Sequence, residues 1–243
     1  MPRSSSGADG EPVDKSVGDV DNLPKNSRVL GIFAKEPLPG RVKTRLSPPL
    51  SAAQAATLYQ TALLETVAMA TGGAFDLVLC YAGSESYFRQ TFPGISLCPQ
   101  QGADLGARMS NALRHFFAQG YRQALLIGSD SPDLPLAMVE QAFAALDRQQ
   151  LVLIPARDGG YVLIGESCHH PHLFERMPWS SAEVTALTRK RAAAAGIACR
   201  LLPVWDDLDD LEALQRLLQR SPASRTAAYL RSLSVPECST ASP

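Results

Sequence analysis

Residues 29–46 read VLGIFAKEPLPGRVKTRL. Val29–Phe33 is short, apolar and closed by turn residues, which predicts a buried strand. Pro37 and Pro39 then stop the strand and forbid a helix before Gly40, because each fixes φ and lacks an N–H. Lys35, Arg41, Lys43 and Arg45 lie in this stretch and Arg28 sits just upstream, so a stiff turn carries clustered positive charge. At the carboxyl end of a first strand in an open α/β sheet, that is where anionic ligands bind. The expectation is a loop that holds nucleotide phosphates. GRVKT is not a P-loop, since that motif needs glycine directly before the lysine and Val42 stands there.

Outward from this stretch, helical and strand signals alternate. Ser51 caps a helix to about Thr71, and Phe75–Tyr81 is a strand. Ser84–Phe92 is a short helix, and Ile95–Cys98 a short strand. Asp104 caps a helix running to Gln119. Gln123–Gly128, QALLIG, is the clearest buried strand and delivers SDSPD at its end. A helix over about Leu136–Arg148 and strands at Leu151–Ala156 and Tyr161–Gly165 follow. A helix Ser181–Ala195, a strand Ala198–Val204, a helix from Asp209 and a short helix over Pro222–Leu233 complete the pattern. The direct strand–turn–strand step at Asp158-Gly159-Gly160 breaks the alternation and predicts a mixed, mainly parallel sheet. The fold class expected is a three-layer α/β/α sandwich.

The chain has 243 residues, 45% hydrophobic and 19% charged, with a formal net charge of -1. That length buries a full core as one domain. The near-neutral balance excludes a nucleic-acid binder that works by bulk electrostatics. No apolar run approaches the roughly 20 residues of a membrane span. Residues 1–28 lack the apolar core of a signal peptide and are rich in Ser, Gly, Asp and Pro, so a disordered tail is expected there, and another at 234–243. The single working domain is then 29–233. Five scattered cysteines, never in a CxxC pair, fit a reduced, cytoplasmic setting.

Asp130 falls where the fourth strand ends, facing the cationic loop, and suits Mg2+ or Mn2+, which bind few carboxylates together with ligand phosphates. Asp133 reads as a helix-start charge or a second ligand. Asp158-Gly159-Gly160-Tyr161 sets two glycines where backbone turns tightly or lets a ligand approach. Trp179-Ser180-Ser181 reads as a helix start with an aromatic plug. Asp206, Asp207, Asp209 and Asp210 crowd into WDDLDDLEAL, where four acids repel unless a cation is near. Asp209 with Glu212 also fits a capping box, and Asp207 or Asp209 a second metal carboxylate. Cys168, His169, His170 and His172 match no zinc spacing and read as an exposed polar loop.

The ordered set FAKEPLPGRVKTRL, GADLGARM, GSDSPDLP, DGGYVLIG, MPWSSAEV and DDLDDLEAL resembles the bacterial transferase family named for its association with radical-SAM and selenodomain proteins, of arsenosugar-biosynthesis type. That family belongs to the nucleotide-diphospho-sugar transferase superfamily, with a GT-A-type fold. The first motif is also similar to 2-phospholactate guanylyltransferase and, more loosely, to the molybdenum-cofactor guanylyltransferases. The resemblance implies phosphate contacts at Gly40, Arg41, Lys43 and Arg45, and a base or ribose near Asp104, Leu105, Gly106 and Arg108. It implies a metal on Asp130 completed by Asp207 or Asp209, with Lys43, Asp130 and Asp158 as catalytic candidates. Gly159, Gly160, Tyr161 and Trp179 fall on the acceptor side. The expected activity is metal-dependent glycosyl transfer from a nucleotide-diphospho-sugar to a small-molecule acceptor. The alternative is nucleotidyl transfer from an NTP to a phosphorylated small molecule with release of pyrophosphate.

Overall fold

The computed structural model describes residues 27–233. The tails expected at 1–28 and 234–243 lie outside the described residues, except for Ser27 and Arg28. Those two join the fold: the Ser27 carbonyl accepts from the N–H groups of Arg122 and Gln123 at 2.7 and 3.1 Å, and Arg28 opens β1.

The strands are β1 (Arg28–Lys35), β2 (Asp76–Ala82), β3 (Ser96–Pro99), β4 (Gln123–Gly128), β5 (Leu151–Pro155), β6 (Tyr161–Glu166) and β7 (Cys199–Leu201). Between and after them run α1 (Ala52–Ala70), α2 (Glu85–Thr91), α3 (Leu105–Ala118), α4 (Leu136–Leu146), α5 (Val184–Ala194), α6 (Leu211–Arg220) and α7 (Arg225–Ser232). Local chemistry sets several starts. Ser51 Oγ accepts from Gln54 N–H at 3.2 Å while Gln54 Oε1 accepts from Ser51 N–H at 2.7 Å, closing a capping box on α1.

The strands form one seven-stranded sheet in the order β3-β2-β1-β4-β6-β5-β7. Neighbours pair in parallel except β6, which runs antiparallel to both β4 and β5, so the expected mixed sheet is observed. After β1 the chain moves out to β2 and β3, then returns to place β4 on the other side of β1. The crevice between the carboxyl ends of β1 and β4 is therefore a topological switch point.

Side chains alternate across the sheet. Leu30, Ile32 and Ala34 of β1 pack with α1, α2 and α4 on one face. Val29 joins Met109, Leu113 and Phe116 of α3 and Ala192 of α5 on the other. Helix α1 is buried on two sides: Tyr59, Leu63 and Val67 meet the sheet, while Ala55, Leu58 and Ala62 meet Leu214, Leu217 and Leu230 of α6 and α7.

Three expected boundaries move. Helix α5 starts at Val184 rather than Ser181, because residues 179–183 are spent wrapping the β5–β6 hairpin, with Ser180 at φ 66° and Thr185 N–H donating to Gly159 O at 2.9 Å. The seventh strand stops at Leu201, and the chain rejoins the sheet only through a bridge between Ala156 and Trp205. The cap of α6 is Asp210, whose carboxylate accepts from Ala213 N–H at 2.7 Å, not Asp209.

Candidate active site

The loop after β1 is anchored by its apolar residues. Val42, the residue that rules out a P-loop, is 5% exposed, and Leu46 is fully buried. With these two turned inward, Arg41, Thr44 and Arg45 face out. Lys43 takes a left-handed conformation, φ 48° and ψ 40°, which a non-glycine residue holds only when its surroundings fix it. Those surroundings are carboxylates. Lys43 Nζ stands 2.9 Å from Asp130 Oδ2 and 3.4 Å from Asp209 Oδ1, with the side chain 5% exposed. Arg45 pairs with the other oxygen of Asp209.

Asp130 leaves the end of β4, held beside β1 by α1: Tyr59 Oη bonds Ser129 Oγ at 2.6 Å and accepts from Lys35 N–H at 2.8 Å. Asp207 and Asp209 come from an extended segment in which Asp206 and Leu208 are buried, so the alternate pair shares the cleft side. Leu208 N–H donates to Asp130 O at 2.9 Å, and Ser131 Oγ donates to Asp206 O at 3.0 Å, docking this segment on the β4 loop. Oxygens of Asp130, Asp207 and Asp209 all lie within 4.8 Å of one another.

Charge is unevenly tuned within this group. Burial, then the neighbouring Asp130, pushes the Asp207 carboxyl up to about 7. Burial acts the same way on Asp130, but the Lys43 ammonium outweighs it and holds that carboxyl below its ordinary range. Burial would lower Lys43, yet Asp130 and Asp209 keep its ammonium above the usual value. Three carboxylates, opposed by the Lys43 ammonium and by Arg45 on Asp209, gather an all-oxygen donor set of the kind a hard cation takes.

These groups line a cleft of about 430 Å³. Of the residues singled out in the sequence, Arg41, Lys43, Arg45, Leu105, Asp130, Asp158, Gly160, Tyr161, Trp179, Asp207 and Asp209 line it. Gly40, at φ 74° with nothing within 4 Å of where a Cβ would sit, is outside the lining. In the GADLGARM segment only Leu105 and Met109 reach the cleft. Asp104 accepts from Ala107 N–H at 2.8 Å as the cap of α3, and Arg108 Nε donates to Gly102 O at 3.1 Å. A Cβ on Gly106 would stand 2.7 Å from the Trp179 ring, so this glycine lets the indole close against α3. At the hairpin, Asp158 Oδ1 accepts from Gly160 N–H at 2.8 Å. Gly159, at φ 90°, lies against Ala182, whose carbonyl would be 2.1 Å from a Cβ. Tyr161 and Trp179 meet edge-to-face, centroids 6.3 Å apart.

Asp133 is neither a cap nor a member of the Asp130, Asp207 and Asp209 cluster. It binds Arg220 Nε at 2.6 Å and Ser221 Oγ at 2.9 Å, and helix α4 starts from Pro135 with no side-chain cap. In the 168–172 segment Cys168, Pro171 and His172 are exposed as expected, but His169 and His170 are not: they hold the fully buried Glu166 through their Nδ1 atoms at 2.9 and 3.2 Å, and His169 Nε2 meets Ser110 Oγ at 3.0 Å. Two cleft residues carried no sequence signal. Gln100 Nε2 donates to the carbonyls of Ala34 and Cys80 at 3.2 and 2.7 Å, and Tyr59 of α1 brings its hydroxyl to Ser129 and Lys35.

The seven-stranded mixed sheet and its helices match the fold of nucleotidyl and sugar transferases of known structure. A family model described as "Uncharacterized protein conserved in bacteria (DUF2064)" matches residues 63–181, and the chain belongs to that family. A crystal structure of a "putative nucleotide-diphospho-sugar transferase" from Desulfovibrio desulfuricans G20 is 33% identical, covers 85% of this chain and 94% of its own, and superposes with a TM-score of 0.79. A nucleotidyl transferase from Methanothermobacter, 12% identical, has a TM-score of 0.56 over 84% of this chain and 98% of its own. CMP:2-keto-3-deoxy-manno-octonic acid synthetase complexed with CTP, also 12% identical, has a TM-score of 0.50 over 79% and 97%. The last two share the fold alone. No curated protein sequence matches the chain.

Proposed function

We propose that the chain is a metal-dependent transferase that uses a nucleotide-activated donor, a nucleotide-diphospho-sugar, and delivers the sugar to a small-molecule acceptor. The observation that carries this reading is the convergence of Lys43 with Asp130, Asp207 and Asp209 at the switch point, in a cleft of nucleotide size. In this reading Arg41, Lys43 and Arg45 bind the donor phosphates. Asp130, with Asp207 and Asp209, fits Mg2+ or Mn2+ by its all-oxygen donor set and spacing. The bound ion would neutralise charge that grows on the leaving nucleoside diphosphate. Leu105 lies towards the base, whereas Tyr161, Trp179 and Gly160 form the acceptor side. Asp158 is the candidate base, one oxygen already oriented by Gly160. The GT-A-type three-layer description and the radical-SAM-associated, arsenosugar-type resemblance belong to the same reading. So does a cytoplasmic setting: Cys80, Cys98, Cys168 and Cys199 are unpaired, and no described helix is long and apolar enough to cross a membrane.

A second reading, nucleotidyl transfer from an NTP, is favoured by one feature: among the described residues no histidine lines the cleft. An attacking phosphate needs no strong base, and positioning with electrostatics does the work. Incubation with Mn2+ and panels of NTPs or sugar nucleotides separates the readings. Free nucleoside diphosphate is the expected product; pyrophosphate would move the assignment to the second reading, and turnover independent of divalent metal would defeat both.

A further inference from the structure

We propose that Arg220 is a positioning residue for the metal carboxylates: its guanidinium clips the Asp130 loop to the Asp207–Asp209 segment and sets their spacing. The inference rests on the metal reading above. Arg220 forks onto Asp133, Nε to Oδ2 at 2.6 Å and Nη2 to Oδ1 at 3.0 Å. Its third nitrogen, Nη1, reaches Asp206 Oδ2 at 2.5 Å. Asp133 lies three residues after Asp130, and Asp206 immediately precedes Asp207. One planar cation therefore spans the two segments that carry the cleft carboxylates.

The carboxylates of the clip are buried, and the Arg220 side chain is 27% exposed. Asp133 and Asp206 side chains are each 5% exposed. Trp205 covers the guanidinium at 4.4 Å from its ring centroid, and its Nε1 donates to Asp133 at 3.4 Å. Oxygens within 4.8 Å of one another on three carboxylates repel; Lys43 and Arg45 offset this from the cleft side, and Arg220 ties the two segments together from behind. A bidentate guanidinium holds geometry in a way that a point-charge ammonium does not. Arg216 makes a natural control: its Nε reaches Asp206 at 3.1 Å, but its other partner is Glu212 on its own helix.

The test is Mn2+ titration, followed by the electron paramagnetic resonance of the free ion, on protein shown by circular dichroism to be folded. Arg220→Met is expected to weaken Mn2+ binding by roughly ten- to a hundredfold, the usual cost of losing an outer-shell partner. Arg220→Lys should recover part of that loss, and Asp133→Asn should reproduce it. Arg216→Met should leave affinity close to wild type. Wild-type affinity in both Arg220→Met and Asp133→Asn, or an equal loss in Arg216→Met, overturns the inference alone. Failure of the wild-type protein to bind Mn2+ overturns the metal reading and this inference with it. If Arg220→Met does not fold, Asp133→Asn and Arg220→Lys decide the matter.

Discussion

Residues 36–46 and residues 205–210 bring opposite charges to one cleft, the first through Arg41, Lys43 and Arg45, the second through Asp207 and Asp209. In the first segment the chain itself sets the shape. Two prolines stiffen the turn, and Val42 and Leu46 are buried as anchors. The second segment carries four acids that its own sequence does not distinguish. Their partners sort them: Arg157, Arg216 and Arg220 take Asp206, Asp210 caps α6, and the two left between them face the Lys43 side of the cleft. Identical side chains within five consecutive positions thus become an anchor, a cap and two candidate ligands.

The comparison breaks most sharply at Asp130, which faces both segments. Asp130→Asn should abolish measurable Mn2+ binding and lower turnover by at least about a hundredfold, the scale of removing one preorganised electrostatic group; Mn2+ titration and single-turnover product assays read both. Lys43→Met tests the cationic side separately. Losing a charged hydrogen-bond donor of about 1.5–3 kcal/mol should weaken nucleotide binding by roughly ten- to a hundredfold while Mn2+ affinity is retained. Calorimetric titration with and without nucleotide separates the two roles, and equal losses of both ligands would merge them.

A smaller effect follows from Asp207, raised from an ordinary 3.8 to about 7. The folded state holds that proton after the unfolded chain has released it, so its stabilising contribution is complete below pH 3.8 and is lost as pH rises through about 7. Between about pH 5 and pH 8 the metal-free wild-type protein should lose melting temperature relative to Asp207→Asn, and its Mn2+ affinity should climb over the same range. Parallel melting profiles for the two proteins would remove the perturbed carboxyl. The smallest effect separates neighbours. Asp210→Ala should cost about 1 kcal/mol of stability as a lost helix cap, with turnover per folded molecule unchanged. Asp209→Ala should do the reverse, and denaturant melts beside activity assays distinguish them.

Much of the framework was legible in the residues. Gln123–Gly128 and the Ser51 and Asp104 caps occur where periodicity and capping chemistry put them. The cationic loop lies at the predicted end of β1. Misreadings gathered where two local signals competed. In WDDLDDLEAL the spacing to Glu212 points to Asp209 as the cap, yet Asp210 caps the helix while Asp209 turns to Lys43 and Arg45. In GADLGARM, Leu105 and Met109 reach the cleft, while Asp104 and Arg108 close the helix start and Gly106 makes room for Trp179. His169 and His170 of the histidine-rich segment are held in by Glu166, which lies one residue past the strand expected to end at Gly165.

Sequence alone determined what depends on a few adjacent dihedrals: strand and helix placement, the stiff basic turn after β1, and the hairpin that reverses β6. Tertiary structure decided which charges meet. Lys43 and Asp209 are 166 residues apart, and Asp133 and Arg220 are 87 apart. Such pairs form because the sheet order returns β4 beside β1 and the last helices pack on α1, burying charges that then hold only if an opposite charge lies within reach.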